Sequence, residues 1–90
     1  MAGFINVGFG NVVNRDKIIS VVSTEAAPIR RMIQNARDEG RAVDATCGRK
    51  TKAALIMESG HIILSALSVE TITARCHSRI KEEKEENGYG

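Results

Sequence analysis

The hydrophobic positions near the start of the chain predict two strands. Residues 4–13 combine β-branched and aromatic side chains with two glycines, a composition typical of a short strand that bends at Gly8 and Gly10. Residues 17–23 form a nearly continuous apolar run, as expected of a central strand covered on both faces. The polar residues 14–16 between the two runs predict a turn.

A helical pattern follows at Pro28, a residue pre-set for the first helical position. Residues 29–36 place apolar side chains at positions i, i+3, i+4 and i+7, which is the spacing of one helix face. Arg30 and Arg31 then fall on the other side of the helix, and Gly40 suits its end. These features predict an amphipathic helix of about 12 residues.

Three further strands and a second helix complete the predicted order. The strands are expected at residues 41–46, 53–57 and 61–67, because each run is short and bounded by turn residues. Ser68 is suited to cap a short helix that runs toward Arg79. The order ββαβββα predicts an α+β fold with a small, antiparallel-rich sheet. Its edge strands must be covered, blunted or used for assembly.

The length and composition describe one small domain. The chain has 90 residues, two phenylalanines, one tyrosine and no tryptophan, so it has little aromatic area to bury and would gain from self-association. It has two cysteines and no apolar run suited to a signal peptide or a membrane span. We expect a cytoplasmic protein with free thiols and no membrane partner. Residues 1–80 should form the domain and residues 81–90 a charged, flexible tail.

The net charge of +2 conceals an uneven distribution. Two lysines and four glutamates give residues 81–90 a charge of −2, which leaves +4 for residues 1–80. No acidic residue lies between Asp44 and Glu58, and Arg49, Lys50 and Lys52 fall inside this gap. The gap is the main electrostatic signal in the chain.

Residues 46–52 carry the groups that bind phosphate oxygens, namely positively charged side chains, threonine hydroxyls and the N–H groups of a loop backbone. Lys17, Arg30 and Arg31 are candidates to extend this basic patch, and an ordinary solvated loop is the alternative interpretation. Proteins that read single strands usually stack bases on aromatic rings. The segment contains no aromatic residue, and both phenylalanines lie far from it in the sequence. We therefore expect contacts to the backbone of duplex DNA rather than to RNA.

Other chemistry has weaker support in the sequence. Gly8 and Gly10 are not followed by the third glycine and the helix of a dinucleotide-binding motif. The cysteines and histidines lack the spacing of a zinc site. No nucleophile elbow, P-loop or paired-carboxylate motif is present. We expect no catalytic residue, metal, cofactor or small-molecule substrate.

Three segments of the chain carry a family resemblance. They are Asn-Val-Gly-Phe-Gly-Asn-Val-Val at residues 6–13, the helical segment at residues 23–37, and Val-Asp-Ala-Thr-Cys-Gly-Arg-Lys-Thr-Lys at residues 43–52. In this order and spacing they resemble the RemA family of bacterial extracellular-matrix regulators, over about residues 4–76. The resemblance implies a small protein that binds DNA, activates transcription of biofilm-matrix genes and assembles into rings.

The resemblance also implies site residues. The family's basic pair after Ala-Thr-x-Gly falls on Arg49 and Lys50, and its basic residue before the apolar strand falls on Lys17. The family has arginine where this chain has Lys17 and Lys50, and lysine keeps the charge without the planar fork. We expect a nucleoid-associated homo-oligomeric ring, with alternatives of an adaptor ring for protein partners and a zinc-dependent enzyme. The predicted DNA-binding residues are Lys17, Arg30, Arg31, Arg49, Lys50 and Lys52.

Overall fold

A computed structural model describes residues 3–77 of the protein. The helices are α1 (Ala27–Asp38) and α2, which covers residues 69–77 of the described chain. The predicted tail at residues 81–90 and the expected end of α2 at Arg79 lie outside the described residues. The strands are β1 (Phe4–Gly8), β2 (Asn11–Asn14), β3 (Ile18–Ser23), β4 (Ala42–Asp44), β5 (Ala53–Met57) and β6 (Ile62–Ser65).

The α+β fold predicted from the sequence is confirmed, and so is the order ββαβββα when the hairpin of β1 and β2 is counted as the first predicted strand. The first predicted strand is folded on itself, because β1 and β2 pair as an antiparallel hairpin. The chain reverses where the bend was expected, at Gly8, Phe9 and Gly10, all of which have positive φ. A 3-10 turn at Arg15–Lys17 then leads into β3.

The second sheet has four strands in the order β3-β5-β6-β4. β5 pairs antiparallel with both β3 and β6, whereas β4 pairs parallel with β6. The prediction that residues 17–23 form a central strand is wrong, because β3 lies at an edge. An apolar run indicates that both faces of a strand are buried. It does not indicate whether the strand is central, because that depends on how many strands are hydrogen-bonded to it. Even the coverage of β3 is incomplete, since Ile19 is 66% exposed.

The helix α1 covers one face of the four-stranded sheet. It begins at Ala27, one residue before the predicted start at Pro28, and it ends just before Gly40, whose φ of 74° suits the end of a helix. Its buried side chains Ile33 and Ala36 pack against the strands β5 and β6. The sheet residues in this cluster are Ala54, Ile62 and Leu64.

The hairpin and α2 cover the opposite face. Ile5 and Val7 of β1 and Ile72 of α2 are buried in one cluster with residues of β5. The hydroxyl of the fully buried Ser65 donates to the carbonyl of Val7 at 2.8 Å, which ties β6 to β1. Ser68 caps α2 as predicted, because its hydroxyl accepts the N–H of Thr71 at 3.1 Å. Among residues 3–77, no helix has the length and apolar composition needed to cross a bilayer.

Candidate nucleic-acid interface

The basic loop, residues 45–52, connects β4 to β5. Its start is fastened by Asp44, whose Oδ1 accepts the hydroxyl of Thr46 at 2.6 Å and the N–H of Thr46 at 2.9 Å. These bonds, with a smaller contribution from the charge of Arg37, hold the pKa of the Asp44 carboxyl below its ordinary value. A buried threonine and its acidic partner therefore fix the backbone at the entrance to the loop.

A tight turn forms the tip of the basic loop. The N–H of Arg49 donates to the carbonyl of Thr46 at 3.0 Å, and the two residues between them, Cys47 and Gly48, have φ of 54° and 80°. Positive φ at both central positions is the geometry of a type I′ turn. The turn leaves Arg49 and Lys50 on the surface at its end.

The far end of the basic loop is held by two other elements. The N–H of Lys52 donates to the carbonyl of Ser65 at 2.8 Å, and the carbonyl of Thr51 accepts the hydroxyl of Thr24 at 2.9 Å. The loop backbone is thus bonded to β6 and to the segment between β3 and α1. Its cationic side chains extend from a fixed backbone into solvent.

The three cations of the basic loop, Arg49, Lys50 and Lys52, have no acidic partner in the part of the chain that the structure describes. The ion pairs there join Arg15 to Asp16, Lys17 to Glu58 and Arg41 to Glu39. The cations of the basic loop are exposed and therefore accessible to an external anion.

A cleft of about 510 Å³ separates the basic loop from α1. Lys50 and Thr51 line one side, and Arg30 and Arg37 line the other. Arg30 also donates to the carbonyl of Glu25 at 2.6 Å, which orients its guanidinium. The structure therefore brings Arg30 to the predicted patch and adds Arg37, which sequence reasoning missed. The spacing of seven residues between the two arginines, which places them on one helix face, was the available signal.

Phe9 is the second residue that sequence reasoning missed. It lies at the tip of the β1–β2 hairpin, and the guanidinium carbon of Arg49 is 5.5 Å from the centroid of its ring. Together with Lys50 and Lys52, these two residues line a smaller cleft of about 340 Å³. The expectation that the basic segment is remote from aromatic residues is wrong for Phe9. The docking of the hairpin on β6 brings it there.

Two predicted site residues are not gathered at the basic loop. Lys17 precedes β3, and its Nζ lies 3.6 Å from Oε1 of Glu58. Because Ser23 pairs with Ala53 at the loop end of β5, Lys17 lies at the other end of this strand pair, about 17–20 Å away. Arg31 is exposed on α1 and is not among the residues that line the three clefts beside the basic loop.

The described residues do not cluster metal-binding side chains, and Cys76 lies in surroundings that disfavour its thiolate. Within residues 3–77, no group of three or more His, Cys, Asp or Glu side chains is placed to hold a metal ion. Burial raises the pKa of the Cys76 thiol, and the nearby charge of Arg15 opposes this effect. A thiol held in its protonated form is a weak nucleophile.

Comparison with known proteins gives one family and several close relatives. The family model described as Extracellular matrix regulatory protein A-like matches residues 4–76. The chain is 52% identical over 86 residues to the extracellular matrix regulatory protein A of Bacillus subtilis, covering 96% of this chain and 94% of that protein. It is 59% identical over 86 residues to a Lachnoclostridium phytofermentans protein named "Putative regulatory protein", with the same coverage of 96% and 94%.

Proposed function

Because the chain belongs to the RemA-like family of extracellular matrix regulatory proteins, we propose that it is a transcriptional regulator that binds duplex DNA. In this role it is a cytoplasmic, nucleoid-associated activator of genes for extracellular matrix and biofilm formation. Its relatives are named as regulatory proteins, which supports a regulatory rather than an enzymatic role. The proposed activity requires neither a cofactor nor a small-molecule substrate.

The basic loop is the observation that carries this proposal. Arg49, Lys50 and Lys52 extend from a fixed backbone, are exposed and pair with no carboxylate of residues 3–77. When such cations neutralise DNA phosphates, the counterions condensed on the DNA are released, and this release is the main source of affinity in sequence-independent binding. Arg30 and Arg37, across the cleft from Lys50, provide further positive charge for the same segment of backbone. Lys17 and Arg31 would contact a different stretch of DNA, or DNA held by a neighbouring subunit.

We also propose that the protein assembles into a homo-oligomeric ring. Both edge strands of the four-stranded sheet expose a large apolar side chain, Ile19 on β3 and Val43 on β4. Val43 lines an apolar cleft with Met57 and Ile63 beside the same sheet. Edge strands and apolar surface are covered by assembly, and a contact between two different edges closes into a ring when the rotation permits. A ring multiplies the number of basic loops that one DNA molecule meets.

The dependence of DNA affinity on salt tests the proposal. The binding of full-length protein to a mixed-sequence duplex is measured by fluorescence anisotropy between about 50 and 200 mM salt. We expect the logarithm of the association constant to fall linearly with the logarithm of salt concentration, with a slope of about −0.9 for each phosphate contacted. A stable oligomer that shows no salt-dependent binding would instead support the alternative of a structural or adaptor ring for protein partners.

A further inference from the structure

We propose that Phe9 is a second nucleic-acid contact, which places its ring against the bases at a deformable step of the duplex. This inference rests on the proposed DNA binding and deepens it, because it adds a contact to the bases beside the phosphate contacts of the basic loop. The result is a preference among DNA sequences that depends on how easily a base step opens.

The backbone at Phe9 does not explain why a phenylalanine stands there. Gly8, Phe9 and Gly10 have φ of 114°, 55° and 80°, a region that L residues with bulky side chains rarely adopt. Glycine, asparagine or aspartate is the usual residue in such a turn. A bulky residue in a strained conformation directs attention to its side chain rather than to the turn.

The surroundings of the ring do not explain it as a core residue either. Phe9 is 51% exposed, whereas Val7, two residues earlier, is fully buried between the hairpin and the sheet. The ring instead lies beside the guanidinium of Arg49, with 5.5 Å between the guanidinium carbon and the ring centroid. This cation–π contact holds an apolar surface next to one of the exposed cations of the basic loop.

The tip of the hairpin is held in place around Phe9. Asn6 Oδ1 accepts the N–H of Gly8 at 2.6 Å, and Asn11 Nδ2 donates to the carbonyl of Gly8 at 3.0 Å. The bond from Ser65 to Val7 fixes the strand that leads to the tip. The backbone that carries the ring is therefore held in place, which reduces the loss of freedom on binding.

The juxtaposition of Phe9 and Arg49 matches a known way of contacting duplex DNA. Phosphate oxygens bind the cations of the basic loop, but they provide no apolar surface for a ring. Apolar side chains beside arginine enter the minor groove, where they partly unstack a base step and bend the helix. Pyrimidine–purine steps unstack most easily. We therefore infer that Phe9 favours duplexes rich in these steps.

The test uses two duplexes of equal length and charge. One has a strand that repeats TATG, so that every second step is TA or TG, and the other has a GAGA strand and contains no pyrimidine–purine step. Phe9→Asn removes the ring and suits the positive φ, while Phe9→Tyr keeps the ring. Phe4→Ala is the matched control, because Phe4 is 40% exposed but lies at the open end of the hairpin, paired with Asn14.

The wild-type protein should prefer the flexible duplex by about fivefold or more, given the cost of unstacking a rigid step. Phe9→Asn should abolish this preference and leave the salt slope unchanged, because every phosphate remains bound. Phe9→Tyr and Phe4→Ala should behave as wild type. The mass of the oligomer and the far-ultraviolet circular dichroism spectrum should be the same for all variants.

Three results would overturn the inference. The first is an unchanged preference in Phe9→Asn. The second is a change in oligomer mass in that variant, which would place the ring at a subunit contact. The third is an effect of the substitution on single-stranded oligonucleotides alone, which would make the ring a stacking platform for unpaired bases. In all three cases salt-dependent binding to both duplexes persists, whereas failure of the proposed function would abolish it in the wild-type protein.

Discussion

The carboxylate of Asp44 accepts two hydrogen bonds from Thr46, one from the hydroxyl at 2.6 Å and one from the N–H at 2.9 Å. Asp44 is the last acidic residue before the basic loop, and Thr46 is buried. The pair therefore links the stability of the domain to the position of its most basic surface.

The stability provided by Asp44 should decline in acid. Thr46 lowers the folded-state pKa of this carboxyl below its ordinary value of 3.8, so its contribution is complete above the unfolded pKa and is lost as the pH falls through the folded pKa. The difference in unfolding free energy between wild type and Asp44→Asn should be constant near neutral pH and should shrink in acid below 3.8. Denaturant unfolding at a series of pH values measures it.

The matched variant Thr46→Val removes the hydroxyl donor and keeps the shape of the side chain. We expect a loss of about 1 kcal/mol at neutral pH, since the acceptor is charged but exposed. The loss should also shrink in acid. A difference that stays constant down to the lowest pH would show that the carboxylate is not the partner that matters.

Neutralising the basic loop should weaken DNA binding without regard to sequence. Arg49→Ala and Lys50→Ala should each flatten the salt slope by about 0.9 for every phosphate that the variant no longer binds, multiplied by the number of subunits engaged. Unfolding free energies should change little, because both side chains are exposed. Anisotropy titrations over a range of salt provide the slopes.

Arg31→Ala is the comparison for these variants, because it removes one positive charge from α1 without altering any of the three clefts beside the basic loop. Its slope should stay near that of wild type. An equal loss from Arg31→Ala would extend the DNA-binding surface across the helix. If the salt slopes of Arg49→Ala and Lys50→Ala equal that of wild type, the basic loop is a solvated turn that does not contact DNA.

Cys47 should limit the stability of the turn in the basic loop. It holds a φ of 54°, a conformation that costs most L residues about 1–2 kcal/mol and favours asparagine or glycine. Cys47→Asn should therefore stabilise the protein by about 1 kcal/mol, and Cys47→Val should destabilise it. The midpoint of denaturant unfolding should move in opposite directions with an unchanged slope. A Cys47→Val variant as stable as the wild type would contradict the positive φ at this position.

The mass in solution should exceed the 9.8 kDa of one chain. If the edge strands meet in the oligomer, Ile19→Lys on β3 or Val43→Lys on β4 should lower this mass, because a lysine would have to be buried at the contact. Light scattering at micromolar concentration measures it. Val12→Lys is the control, since Val12 is exposed on the separate hairpin. A wild-type mass near that of one chain would rule out assembly.

Elements that depend on local sequence were predicted closely. The strand at residues 53–57 has the predicted bounds in β5, and the turn residues expected to bound it, Glu58, Ser59 and Gly60, form a turn. The helix α1 begins within one residue of Pro28, because the fixed φ of proline suits the first turn of a helix. Such signals depend on only a few neighbouring residues, so these elements can be predicted without knowledge of the tertiary structure.

Relationships between distant segments could not be predicted in the same way. The position of β3 at an edge depends on which strands pair with β5, and Phe9 reaches Arg49 because a buried hydroxyl on β6 bonds to β1. Lys17 and the basic loop are both positively charged, but they lie at opposite ends of the β3–β5 strand pair. Composition and periodicity contain no information about these distances.

The bond between Ser65 and Val7 joins residues that are 58 positions apart, which has a consequence for synthesis. The ribosome releases the hairpin early, but the strand that receives it is among the last parts of the domain to emerge. Until then Phe9 has no neighbour on the basic loop. A nascent chain from which β6 has not yet emerged therefore lacks the complete surface, although its basic loop has already been made.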